Sequence, residues 1–110
     1  LYRKAFYLDI SGNNSEAQKY YQYAIEIYRS LIDPANPNFD LMLEYLICLD
    51  DSGDTLKYNQ TVKEIYQMGF DKSQIEIFEM YINQPKIKEQ VIKFWTGKIN
   101  FDQIGNYGNY

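Results

Sequence analysis

Apolar side chains return every three or four positions along most of this chain, the spacing of helices that bury one face. In residues 15–32 the stripe is Ala17, Tyr20, Tyr21, Ala24, Tyr28, Leu31 and Ile32, set against Glu16, Lys19, Gln22, Glu26 and Arg29. Residues 38–51 are apolar almost all round, which predicts the most buried helix. Before them, residues 1–11 carry Leu1, Ala5, Phe6 and Leu8. After them, residues 54–68 turn Leu56, Val62, Ile65 and Tyr66 inward, and residues 73–83 turn in Ile75, Phe78 and Ile82. A last stretch, 85–97, offers Ile87, Val91, Phe94 and Trp95. No segment alternates apolar and polar residues in a way that a helix does not explain better.

The breaks between these runs are chemically consistent. Gly12, Gly53, Gly69 and Gly97 each follow a periodic stretch, where a helix C-terminal glycine belongs. Pro34 and Pro37 in DPANPN mark a loop, and Pro85 suits the first turn of a helix. Ser15 with Gln18, and Ser73 with Glu76, have the spacing of capping boxes. Short connections imply antiparallel neighbours. The expectation is an all-α domain over residues 1–98, about six antiparallel helices stacked as three helical hairpins, followed by an irregular tail at 99–110.

Ala5, Leu8, Gly12, Ala17, Tyr21 and Ala24 alternate small and large residues across the first hairpin, at spacings of 3, 4, 5, 4 and 3. Leu46, Leu49, Gly53, Tyr58, Val62 and Ile65 repeat those spacings with an offset of 41 residues. This resembles the tetratricopeptide-repeat (TPR) family, in which small residues let paired helices approach and large ones fill the space beside them. The offset exceeds the family period of about 34, and DPANPN can absorb the difference as a longer loop. The third unit resembles the family only in its helix–Asn-Gln-Pro–helix layout. The resemblance implies a superhelix whose first helices line a concave groove. It places Tyr2, Phe6 and Asp9 on that groove in the first unit, and Asp40, Leu43, Ile47 and Asp50 in the second. Tyr2 and Phe6 stand where a carboxylate clamp needs Lys and Asn, so that mode of peptide capture is not expected.

Composition narrows the chemistry. The 110 residues include no histidine, which removes the commonest general base and the Ser-His and Cys-His nucleophile pairs. No glycine-rich phosphate loop is present. Asp50, Ser52 and Asp54 match the start of a calcium loop, but Thr55 replaces the required glycine and Thr61 the bidentate acid. The adjacent Asp50 and Asp51 read as a solvated helix end. Cys48 lies in LMLEYLICL and reads as a small core residue. No enzyme, metal site or cofactor is expected, and no apolar run reaches membrane-spanning length.

The 12 tyrosines are the compositional outlier, and rings of this kind favour binding surfaces. The net charge of −4 argues against nucleic acid or an anionic membrane as partner. Between Arg29 and Lys57 there is no basic residue, while Asp33, Asp40, Glu44, Asp50, Asp51 and Asp54 fall in the same stretch. The leading expectation is therefore a non-catalytic adaptor that binds another protein, one of basic character, through a concave acidic and aromatic surface. Tyr2, Phe6 and Tyr45 would anchor it, Leu43 and Ile47 would line it, and Asp9, Asp40, Glu44 and Asp50 would supply charge. A second expectation is a bacterial immunity protein that neutralises a cognate toxin by direct binding, in keeping with small size, acidity and a composition rich in Ile, Asn, Lys and Tyr. A third is a structural length of a longer helical solenoid, since Leu1 opens in the middle of a helical pattern. The expected compartment is the cytoplasm.

Overall fold

A computed structural model describes residues 2–84. The expected sixth helix at 85–97, with Gly97 and the tail at 99–110, lies outside the described residues. Within them the chain is all-helical: α1 (Tyr2–Ile10), α2 (Asn14–Leu31), α3 (Phe39–Ser52), α4 (Thr55–Gln67) and α5 (Lys72–Ile82). Each boundary falls within about two residues of the one the apolar periodicity predicts. No helix among the described residues is long and apolar enough to cross a membrane.

Local chemistry sets the ends. Gly12 and Gly53 both adopt left-handed backbone, at φ 95° and 81°. Each closes its helix with a paired hydrogen-bond motif: Gly12 N–H donates to Asp9 and Asn13 N–H to Leu8, as Gly53 does to Asp50 and Asp54 to Leu49. These bonds satisfy carbonyls that the helix end would otherwise leave open. The starts differ from the sequence expectation. Asn13, not Ser15, occupies the cap of α2, and its side chain makes no capping bond. For α5 the capping box is Asp71 with Gln74, at 2.8 and 3.1 Å, two residues before the expected Ser73–Glu76 pair. Gly69 adopts left-handed backbone at φ 81° and ends the preceding segment just early enough to leave Asp71 extended at the cap. Asn38 and Asp54 cap α3 and α4 by accepting from Leu41 and Lys57 N–H, both at 3.1 Å. Asp54 is thus a helix cap, which accounts for its place in the partial calcium-loop pattern.

The helices pack in chain order, α1 on α2, α2 on α3 and α3 on α4. Ala5, Ala17, Tyr21 and Ala24 form the α1–α2 seam and are almost fully buried. Small side chains there let the two backbones approach, with the Tyr21 ring filling the space beside them. Along α3, Met42, Tyr45, Leu46, Cys48 and Leu49 are buried, making it the centre of the molecule. Gln18 Nε2 donates to the Ser52 carbonyl at 3.0 Å, and the Tyr28 and Tyr45 rings meet at 6.2 Å. The start of α2 therefore lies beside the end of α3, so the two run antiparallel. α5 joins through fully buried Phe78, whose ring meets Tyr66 edge-on at 5.2 Å.

Three expected inward residues point outward. Leu56 is 71% exposed and Tyr66 48% exposed, because α4 buries Thr61 and Ile65 one turn apart. At 100° per residue Leu56 then falls on the opposite side and Tyr66 well round the flank. The buried Thr61 hydroxyl is satisfied by the Lys57 carbonyl at 2.8 Å. Leu31 is 60% exposed although it lies on the buried face of α2. The cause is length: α1 spans about 14 Å and α2 about 27 Å, so the last turn of α2 outruns its partner.

Candidate functional site

The C-terminal turn of α3 carries two neighbouring carboxylates, Asp50 and Asp51. A helix C-terminus is the end where negative charge is least welcome, by roughly 0.3–1 kcal/mol per group. Their sequence position suggests solvation, and the structure shows otherwise. Asp51 is 5% exposed and Asp50 half-buried. Consecutive residues on a helix point about 100° apart, so the two carboxylates address different neighbours. Asp51 Oδ2 accepts from the Tyr2 hydroxyl at the start of α1. Asp50 Oδ2 accepts from the Tyr81 hydroxyl, near the end of α5, at 3.1 Å. A third phenol, Tyr21 of α2, donates to Asp9 Oδ2 at 3.2 Å.

Burial is the main reason the phenols of Tyr2, Tyr21 and Tyr81 are held far above the usual tyrosine range. Neighbouring carboxylate charge and the hydrogen bonds to it push the same way. These hydroxyls stay protonated and keep donating at any physiological pH. Cys48, fully buried as its apolar surroundings predict, is pushed up to about 12, by burial first and the Asp51 charge second. It is an inert thiol, since reactivity needs the thiolate.

Beside these pairs lies a groove with two connected compartments. The inner one, about 260 Å³, is lined by Tyr2, Arg3, Phe6, Ile47, Asp50, Asp51 and Tyr81. It sits where α1, α3 and α5 converge. The outer one, about 440 Å³, shares Tyr2, Arg3 and Ile47 and adds Tyr28 and Glu44. The Tyr2 ring stands between Phe6 and Tyr21, with centroids 6.3 and 6.4 Å away. The inner compartment is largely apolar with carboxylates at one side. At about 260 Å³ it has room for a single large side chain. Among the described residues no cluster of three or more His, Cys, Asp or Glu is placed to hold a metal ion.

Of the nine residues singled out from the sequence, the groove brings together Tyr2, Phe6, Glu44, Ile47 and Asp50. Asp9 is half-buried and receives the Tyr21 bond. Leu43 is partly buried against the core, and Asp40 is exposed in the first turn of α3. Tyr45 does not belong to the groove. It is 6% exposed, meets the Tyr28 ring at a tilt, and faces the hollow between α2, α3 and α4 that Arg29, Thr61 and Glu64 also line. Met42, Leu46 and Leu49 of α3 lie in the same core, so the phase of the helix gives its ring to packing. Arg3, Asp51 and Tyr81 were not anticipated. Tyr81 stands 34 residues after Ile47, and the repeat resemblance, with its period of about 34, is the sequence signal that would have pointed to it. Nothing in the sequence separates Asp51, with its buried bond to Tyr2, from its neighbour.

No protein-family model matches the chain, and no curated protein or solved structure matches it at a significant level.

Proposed function

We propose that the chain is a non-catalytic, TPR-like protein-binding module that engages a partner through the groove of α1, α3 and α5. The observation that carries this reading is the convergence of Tyr2, Phe6, Ile47 and Asp50, separated by 41 residues or more between the first and second pair of positions, on one concave surface. The helical-repeat resemblance assigns those positions to a groove. Burial supports the same reading: Ala5, Ala17, Tyr21 and Ala24, with Leu46, Leu49 and Ile65 at matching places in the second pair, are all nearly inaccessible. Gly12 and Gly53 close the first helix of each pair with the same bonding pattern.

The test is affinity capture with the 110-residue chain against a groove-blocked variant, Ile47→Glu, with circular dichroism to confirm that the variant folds. A bound protein released by Ile47→Glu and retained by the exposed-site control Leu56→Glu supports the reading. A partner that survives groove substitution, or no partner at all, sinks it.

One observation favours a second reading, a length of a longer helical stack. Tyr23 and Ile27, one turn apart on α2 and off its buried face, are both exposed. A further helical unit would cover such a pair. Light scattering and thermal melting of the isolated chain discriminate: a cooperative monomer counts against this second reading.

A further inference from the structure

Tyr2, Tyr21 and Tyr81 turn their hydroxyls onto aspartates, but Tyr45 does not. The residue is 6% exposed, and its hydroxyl makes no hydrogen bond among the described residues. Polar groups that a fold encloses are nearly always hydrogen-bonded, and leaving one unmet is costly. The core and Tyr28 cover the Tyr45 ring, so its partner has to come from the hollow it faces, between α2, α3 and α4. That hollow holds about 310 Å³, with Ile32 and Pro34 on its apolar part and Arg29, Lys57 and Glu64 on its charged part. Two of its donors are already engaged: Lys57 pairs with Asp54 at 3.8 Å, and the Thr61 hydroxyl donates to the Lys57 carbonyl at 2.8 Å. Arg29 is different. It stands exposed in the last turn of α2 and forms no ion pair among the described residues. It is also the charge that acts most strongly on the Tyr45 phenol. Burial raises that group, Arg29 draws it down, and Glu64 and Asp54 push it up, each with less effect than Arg29. The hydroxyl end of the ring therefore lies among the charged groups of the hollow.

We propose that this hollow binds a carboxylate on a short apolar stem, which accepts hydrogen bonds from the Tyr45 hydroxyl and the Arg29 guanidinium. An ionised carboxylate only accepts, so it meets both donors, and its two coplanar oxygens suit the guanidinium fork. Ile32 and Pro34 give the stem an apolar wall. A cation would face Arg29 and Lys57, and a neutral apolar group would leave the Tyr45 donor unmet. Glu64 and Asp54 act on the same phenol, so the site accepts one negative charge more readily than two, and a carboxylate fits it better than a phosphate dianion. Tyr45 and Ile47 are two positions apart on α3, about 200° round the helix. The hollow and the groove therefore open on different faces, and binding at one does not require binding at the other.

The probes are butyrate and its neutral, nearly isosteric counterpart butyramide, titrated into the isotope-labelled 110-residue chain at low salt and followed by amide chemical shifts. Butyrate should shift residues 29–32, 45 and 57–64, with an affinity about tenfold above butyramide, the order expected of one charge-assisted hydrogen bond. Arg29→Gln should erase that preference. Glu64→Gln should tighten butyrate binding and leave butyramide unchanged, and Ile47→Glu, on the other face, should change neither. Tyr45→Phe should weaken butyrate binding by about fivefold while the urea midpoint stays level or rises, because an unmet hydroxyl holds nothing in the fold. A purely structural hydroxyl would give the opposite result, a lower midpoint with both affinities moving together. Inorganic phosphate should bind more weakly than butyrate. N-acetyl-glutamate methylamide separates the sources of the carboxylate: tighter binding than butyrate assigns it to an acidic side chain of a partner, weaker binding to a free short-chain acid. Equal affinities for butyrate and butyramide, a preference that survives Arg29→Gln, phosphate binding tighter than butyrate, or no shifts with either probe would overturn the proposal. The wild-type comparison needs no variant, so misfolding cannot mask the answer.

Discussion

Removing one oxygen atom, in Tyr2→Phe, isolates the energetic core of the site. The ring stays, and with it the contacts to Phe6 and Tyr21. What goes is the donor to Asp51, a carboxylate 5% exposed. A hydrogen bond to a charged group contributes roughly 1.5–3 kcal/mol, and a buried acceptor that loses it cannot turn to water instead. Taking about 2 kcal/mol and a urea dependence near 1.5 kcal/mol per molar, the unfolding midpoint should fall by about 1.3 M. Asp51→Asn keeps the shape and an acceptor oxygen but removes the charge, so it completes a double-mutant cycle. Because the groups touch, the cycle should return a coupling of roughly 0.5–3 kcal/mol. Tyr23→Phe, on an exposed ring, is the control and should stay within about 0.5 kcal/mol of wild type. Urea titrations followed by circular dichroism measure the four chains of the cycle and the control. A midpoint change in Tyr2→Phe no larger than in Tyr23→Phe, or strict additivity in the cycle, would refute the argument that this pair holds α1 to α3.

Three further outcomes follow. Gly53→Ala should cost about 1–2 kcal/mol through its left-handed backbone alone, since an added Cβ meets nothing within 4 Å, and Gly53→Asn should cost less; equal stability of all three chains in urea would contradict the turn. Asp71→Ala should destabilise by roughly 0.5–2 kcal/mol and speed amide exchange in α5, while Ser73→Ala should do neither, and the reverse ranking would restore the serine cap. Stability should fall at alkaline pH: Cys48 titrates near 12 in the folded chain against an ordinary 9.0, so above about pH 9 the unfolded chain binds fewer protons than the folded one. That contribution is complete below about pH 9 and is lost as pH climbs towards about 12, and Tyr2, Tyr21 and Tyr81, raised from 10.0, add to the loss. Thermal melts across that range that stay level would count against it.

Much of the fold was legible because the helices are strongly periodic. The stripe through Ala17, Tyr21 and Ala24 needs only the 3.6-residue turn to be read, and Gly12 and Gly53 mark their helix ends by a backbone conformation that other residues adopt at a cost. Errors arose where a local rule had a competitor. Ser73 and Asp71 are both competent caps, and the position of Gly69 decides between them. Leu31 follows the stripe but lies beyond the reach of the shorter α1. Tyr45 and Ile47 sit only two residues apart on α3, yet helical phase sends one to the core and the other to the groove. The site was legible in part for the same reason. Groove positions on one helix follow from its phase, whereas the Tyr2–Asp51 and Tyr81–Asp50 bonds join residues 49 and 31 apart, and no periodicity within a helix encodes such meetings.

The turn at the end of α3 has a mechanical consequence. It acts as a hub with two struts, one to each flanking helix, so the spacing of α1 and α5 is set through a single pair of adjacent residues. Among the described residues α5 also buries Phe78 and packs Ile75, Tyr81 and Ile82 partly against the core, while Ile77 and Met80 face outward. Detachment of its last turn, which carries Tyr81, would release one wall of the groove. Whatever occupies that groove is thermodynamically linked to this local opening, and slower hydrogen exchange at residues 78–82 should report occupancy before any change in global stability is seen.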